Sequence, residues 1–188
     1  MSFRLSWPRA ACLIFGAAAV MVLILLAMGR VPICACGSVK LWYGTVNSAE
    51  NSQHIADWYT PSHIVHGLLF YGTTHWLMRR QGLPVRALLA TLVEALWEIV
   101  ENTPQVIGRY RDATMALGYT GDSVVNSVSD VGAMLLGFAL ASRLPAWAGV
   151  AVMVALELAA LLAIRDNLTL NVLMLLWPLD AVRNWQAG

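Results

Sequence analysis

The sequence predicts an all-α fold, a polytopic transmembrane helical bundle of about six spans, on three observations. Of 188 residues, 59% are hydrophobic and 12% charged, where a soluble domain carries about 25% charged residues. The apolar excess falls into long runs separated by short polar breaks, and the mean hydropathy is +0.63. Prolines and arginines punctuate those breaks. The composition defines one integral membrane domain over 1–188. The formal net charge of +1, with no Lys/Arg cluster, excludes nucleic acid as a partner.

The first run, Ala10 to Gly29, follows Arg4 and Arg9. It exceeds the roughly 7–15 residues of a signal-peptide core, and no small-residue cleavage site follows it, so it predicts an uncleaved anchor helix. Val31-Pro32-Ile33 before Cys34 does not read as a lipobox. The further spans are His63 to Met78, Val85 to Asn102, Asp122 to Ser142, Ala146 to Ile164 and a shorter one from Leu168 to about Leu179. A bilayer needs roughly 20 helical residues, so the last is re-entrant or tilted. Pro61, Pro84 and Pro145 sit where a first turn tolerates a missing N–H, and Pro104 and Pro178 where helices should stop. Thr60 is a credible N-cap for the second span. The outer loops are 30–61 and 104–121.

Arginine and lysine set the orientation, because they are retained on the cytoplasmic side. With the N-terminus inside, Arg4, Arg9, Arg79, Arg80, Arg86, Arg143 and Arg183 are cytoplasmic, and Arg30, Lys40, Arg109, Arg111 and Arg165 are outside. Seven against five predicts N-in, C-in. Trp42, Tyr43, Trp58 and Tyr59 then form an outer aromatic belt, with Trp76 and Trp185 near the inner surface.

Within this apolar frame lie three polar stripes. His63 and His66 are one turn apart at the start of the second span. Glu94, Glu98 and Glu101 follow an i, i+4, i+7 pattern at the end of the third. Asp122, Asn126 and Asp130 follow i, i+4, i+8 at the start of the fourth. Each set forms one helical face, and the topology brings all three to the outward half of the membrane. Ionisable groups cost roughly 2.5–3.5 kcal/mol each at mid-membrane, so they mark a site or pathway. The residues suit a metal site: His63, His66, Glu98 and Asp122 as ligands, with imidazole and hard carboxylates fitting zinc, manganese or iron. Glu98, Glu101 and Asp130 are the candidate catalytic acid–base groups. Arg109 and Arg111, which flank Tyr110 beside Asp112, are candidates to clamp an anion, with Asn126 completing substrate binding. Interhelical hydrogen bonding alone is the competing explanation.

Other polar residues carry less. His75 reads as a hydrogen-bonded packing residue and Glu157 as a helix contact. Gly132, Ala133 and Gly137 read as small residues permitting close helix packing. Cys12 lies in the anchor helix. For Cys34 and Cys36, a structural disulfide, a redox pair and a two-thiolate metal ligand all remain open.

Three functions fit. One is a metal-assisted or acid–base hydrolase or transferase acting on a lipid or lipid-linked head group. A second is a non-catalytic binder or assembly factor for a lipid or envelope component. The weakest is a proton-coupled carrier using Glu94, Glu98 and Glu157, since no inverted repeat is present. Membrane lipids are the expected partners in each.

The stretch Ser52 to His63 with His66-Gly67, Trp97-Glu98-Ile99-Val100-Glu101-Asn102, Arg109-Tyr110-Arg111 and Gly121-Asp122 to Asp130 resembles an uncharacterised family of bacterial inner-membrane proteins. The likeness covers most of the chain after Arg30 and implies a bacterial cytoplasmic-membrane location. From about His63 to Ser142 the chain is also similar to VanZ-like membrane proteins, which share an acidic or amide stripe followed by small residues. That likeness implies a link to envelope or glycopeptide phenotypes. Neither resemblance supplies a catalytic residue.

Overall fold

Five long helices and three short ones make up the computed structural model, which describes residues 5–114 and 118–187. In chain order they are α1 (Trp7–Ala27), α2 (Thr60–Leu77), α3 (Leu83–Glu101), α4 (Pro104–Ala113), α5 (Val124–Ala141), α6 (Ala146–Ile164), α7 (Leu168–Leu176) and α8 (Asp180–Ala187). There is no β-strand among the described residues, only an isolated parallel bridge between Tyr43 and Asp57. The fold is therefore all-α.

Three helices, α1, α5 and α6, are long and apolar enough to cross a membrane, not six. α2 and α3 are 18 and 19 residues long but too polar to qualify, because they carry the histidines and glutamates of the stripes. Those side chains turn inward. Glu94, Glu98, Thr91 and His63 are buried, whereas Leu92, Val93 and Leu96 on the other face of α3 are exposed. α6 is apolar except for Glu157, with Trp147 and Leu162 at 75% and 83% exposure. Water would penalise such a surface.

The sixth span is corrected. α7 is nine residues long, about 14 Å at 1.5 Å per residue, and it stays beside α4, where Arg109 Nε donates to the Leu175 carbonyl at 3.0 Å. The chain then returns through α8. Arg183 donates to the Asp112 carbonyl at 3.0 Å, Arg165 to the Trp185 carbonyl at 3.1 Å, and Gln186 to the Arg165 carbonyl at 3.0 Å. The C-terminal helix thus lies at the same end as the segments 30–59 and 118–123. This removes Arg183 from the basic set at the opposite end and places α8 at the other end of the bundle from the start of α1. Among the described residues, Arg30, Lys40, Arg109, Arg111, Arg165 and Arg183 stand at one end, against Arg9, Arg79, Arg80, Arg86 and Arg143 at the other. Arg4 lies outside the described residues.

A proline and a threonine also behave differently from expectation. Pro104 does not end a helix. It opens α4, with Thr103 as N-cap accepting from Val106 N, so 104–113 is helix rather than loop. Thr60 is the first residue of α2, and its hydroxyl accepts from Asp57 N at 3.0 Å instead of capping.

α2 and α5 form the tightest helix pair. A Cβ on Gly67 would be driven into the backbone of Met134 and Phe138, and one on Gly137 into the Ile64 carbonyl. Gly137 therefore permits close approach as expected, but Gly132 faces open space. Beneath this crossing, Met134, Phe138, Ala87 and Ala90 form a buried core. At the far end of α3, Arg86 is buried with its guanidinium 4.6 Å from the Tyr71 ring, donating to Thr74 Oγ1 and the Tyr71 carbonyl.

Asp166, between α6 and α7, ties the C-terminal hairpin to the bundle. It accepts from Asn167 N at 3.0 Å, Tyr59 OH at 3.3 Å, Gln186 Nε2 at 3.3 Å and Asn171 Nδ2 at 3.4 Å. Burial raises its carboxyl from 3.8 to about 6, against the pull of those donors. A folded value above the unfolded one means that the folded state holds the extra proton. This contribution is present at low pH and is lost as pH rises from about 4 through about 6, an effect of about 3 kcal/mol. Thermal unfolding in detergent should therefore show the wild type losing stability over that interval relative to Asp166→Asn. Parallel pH profiles for the two proteins would refute the assignment.

Candidate metal-binding site

The three stripes converge at the end of the bundle covered by residues 30–59. His63 enters from the first turns of α2. Its Nδ1 lies 2.6 Å from Glu94 Oε1 and 3.6 Å from Glu98 Oε1, and its Nε2 lies 3.8 Å from Asp130 Oδ2. A carboxylate only accepts, so the short contact puts a ring proton on Nδ1 and turns Nε2 toward Asp130. Metal-ligating histidines are held this way, with the second nitrogen donating to a carboxylate. His66 also turns Nδ1 to Glu94, at 3.1 and 3.2 Å, and its ring stacks on Phe70. Glu94, which the sequence placed on the stripe but not in the site, is thus the anchor for both imidazoles.

Glu98 differs from Glu94. It is completely buried, yet neither Oε1 nor Oε2 has a hydrogen-bond partner; Asp130 Oδ1 and Asn126 Oδ1 are likewise buried and bare. Unpartnered buried acceptors are rare and call for an explanation such as an ion. Three overlapping sets have the geometry to hold one: His63, His66 and Glu94; His63, Glu98 and Asp130; and Glu98, Glu101 and Asp122. In each, one ligand atom per residue lies within 4.8 Å of the others.

Asp122 is more fully held. It accepts from Asn102 Nδ2 at 2.6 Å and Tyr119 OH at 3.0 Å, and its N–H donates to Asn102 Oδ1 at 2.8 Å. Burial lifts its carboxyl to about 6, while Asn102 and Tyr119 pull it down. Glu101 is hydrogen-bonded to Tyr110, whose own phenol burial pushes up. A cavity of about 30 Å³ sits among His63, Glu101, Asp122, Asn126, Asp130 and Tyr119. A second of about 30 Å³ shares His63 and Glu101 and runs out past His66, Trp97, Leu168 and Val172.

The covering loop is fixed by the start of α5. Ser123 N donates to the Ser52 carbonyl at 3.0 Å, Asn126 Nδ2 to the His54 carbonyl at 2.9 Å, and Gln53 Nε2 to the Gly121 carbonyl at 2.5 Å. Gly121 has φ +97°, and a side chain there would strike the Arg30 guanidinium. The same loop carries a Cys34–Cys36 disulfide.

The structure therefore brings His63, Glu98, Glu101, Asp122 and Asp130 into one cluster. His66 joins it through Glu94 and through an edge-on contact with the His63 ring, 5.3 Å between centroids. Asn126 lines the cavity, but its amide nitrogen is committed to the covering loop. Arg109 and Arg111 are exposed and line neither cavity; it is Tyr110 between them that faces inward. Sequence reasoning missed Tyr59 and Tyr119 in the wall and Asn102, which holds Asp122. Asn102 could have been found, since it continues the i, i+4 face of Glu94 and Glu98.

Fold and site together define a class: an all-helical bundle with candidate membrane-crossing helices, enclosing a buried imidazole–carboxylate cluster. The chain belongs to the family described as "Protein of unknown function (DUF2585)", which matches residues 25–188. It is 61% identical over 178 residues to a UPF0314 protein of Sinorhizobium fredii, across 95% of this chain and 89% of that one. It is 60% identical over 164 residues to the UPF0314 protein of Paracoccus denitrificans, across 87% and 85%. With that of Sphingopyxis alaskensis it shares 52% over 185 residues, across 98% and 96%. These matches bear out the resemblance to an uncharacterised bacterial family and show no link to VanZ-like proteins. No solved structure matches the chain.

Proposed function

We propose that this chain is a multi-pass protein of the bacterial inner membrane whose buried cluster binds a divalent cation and serves as a metal-assisted hydrolase or transferase. The substrate is a lipid or lipid-linked head group. One observation carries the reading: both oxygens of Glu98 and Oδ1 of Asp130 are buried without a hydrogen-bond partner, beside a His63 ring that Glu94 anchors through Nδ1. Zinc, manganese and iron suit this mixture of ligands. His63, Glu98 and Asp130 would hold the cation, which would supply polarisation of an ester oxygen or a lowered pKa of a water, and Glu101, partly exposed beside the cavity, is placed to take a proton.

The membrane arrangement that fits best has α1, α2, α3, α5 and α6 crossing, the N-terminus inside and α7–α8 lying at the outer face. The Cys34–Cys36 bond at the cluster end supports this orientation, since disulfides persist in oxidising compartments. A lipid substrate is supported by a groove of about 680 Å³ between α2, α6 and α7, lined by Val65, Leu69, Met153, Leu158 and Leu161. It shares Leu168 with the second cavity and offers space for an acyl chain. The carrier reading is weaker because Glu157 is engaged elsewhere, accepting from Leu168 N, Thr169 N and Thr169 Oγ1 at the start of α7.

Elemental analysis of the full chain purified in mild detergent tests the proposal. The expected result is a stoichiometric transition metal that chelator removes and whose return raises the unfolding temperature. A metal-free protein unmoved by zinc, manganese or iron would leave the non-catalytic binder as the better reading.

A further inference from the structure

We infer that the cluster holds two divalent cations bridged by Glu98, and that the site therefore takes a phosphate ester. This rests on the metal-binding reading above and goes beyond it in stoichiometry and substrate class. Two ligand sets share Glu98: His63, Glu98 and Asp130 on one side, and Glu98, Glu101 and Asp122 on the other. Glu98 reaches both from the middle of the bundle, and each of its oxygens is buried and unpartnered. A carboxylate shared by two sets is the arrangement of bridging carboxylates in helical bundles, where each oxygen would serve one ion.

Charge points the same way. Glu98, Glu101, Asp122 and Asp130 have no Lys or Arg ion-pair partner among the described residues; His63 is the only basic side chain facing Glu98 and Asp130 within that distance. Four carboxylates held in a low-dielectric interior repel strongly. Were all four ionised, one divalent ion would offset half of that charge and two would offset all of it. A cavity of about 30 Å³ is lined by His63 and Asp130 of one set and by Glu101 and Asp122 of the other.

Paired cations clamp the attacking and leaving oxygens of an in-line displacement, which is the geometry of phosphoryl chemistry. In hydrolysis the water oxygen bonds to phosphorus, and the bond from phosphorus to the alcohol oxygen breaks. One water proton passes to a cluster carboxylate, and the leaving oxygen takes a proton to become the alcohol. Neutralisation of the phosphate by the cations also accounts for a site whose cavities exclude Arg109 and Arg111.

The test loads the full-length protein in detergent with manganese and measures both stoichiometry and electron paramagnetic resonance. Expected are two ions per chain with an exchange-coupled signal. Glu101→Gln should fall to one ion and lose the coupling while His63, Glu98 and Asp130 still bind, and inorganic phosphate should bind that variant at least ten-fold more weakly than wild type. One uncoupled ion in the wild type would overturn the inference and leave the single-metal reading standing; no ion at all would overturn both. Equal phosphate affinity in wild type and variant would overturn the phosphate-ester assignment. If Glu101→Gln does not fold, the presence or absence of coupling in the wild type decides.

Discussion

Glu98→Gln is expected to abolish metal binding while leaving the metal-free protein as stable as wild type, or more so. Glutamine preserves the volume of Glu98 and removes the buried charge that no donor offsets. With chelator present, the substitution therefore relieves a desolvation penalty rather than breaking a bond. With metal present the order reverses. A cation that binds only the folded state stabilises it by about 2.7 kcal/mol at one hundred times its dissociation constant, and a neutral amide cannot replace the carboxylate ligand. Thermal unfolding of both proteins, with chelator and with saturating metal, gives the full cycle. A Glu98→Gln protein that loses stability equally in both conditions would show that Glu98 is held by packing alone. Glu94→Gln should behave differently, because it removes the acceptor of His63 and His66 and so lowers stability even without metal.

Gly67→Ala is expected to be the most damaging single-methyl change in the bundle. The added Cβ meets backbone atoms of Met134 and Phe138 rather than a flexible side chain, so relief requires α2 and α5 to separate. Overpacking of this kind costs about 1–3 kcal/mol, occasionally more. Gly137→Ala, which meets the Ile64 carbonyl, should act similarly. Separation of the two helices also lengthens the 3.8 Å approach of His63 Nε2 to Asp130 Oδ2, so metal affinity should fall together with the unfolding temperature. Gly132→Ala is the control: nothing lies within 4 Å of its Cβ, and alanine is favoured over glycine in a helix by about 1 kcal/mol. A neutral Gly67→Ala would mean that the crossing is looser than the structure describes.

The sequence by itself determined the all-α class, the borders of the long helices to within a few residues, and the face of each helix that carries the polar stripe. Period and composition are local properties, and they suffice for these. His63 and His66, the three glutamates, and Asp122 with Asp130 could be placed on common faces because a helix fixes spacing without reference to its neighbours. Tertiary structure alone decided which of those faces meet and on what terms. It made Glu94 the partner of both histidines and left Glu98 bare. It withdrew Arg109 and Arg111 to the surface, and it held α7 and α8 at the cluster end instead of across the bundle. The physical reason is that a hydrogen bond between α2 and α3, or a backbone contact such as Arg183 with Asp112, depends on helix separation and rotation. Those are set by the glycine-permitted crossing of α2 on α5 and by the loop that Ser123 and Asn126 pin over the site, and neither leaves a periodic trace in the chain.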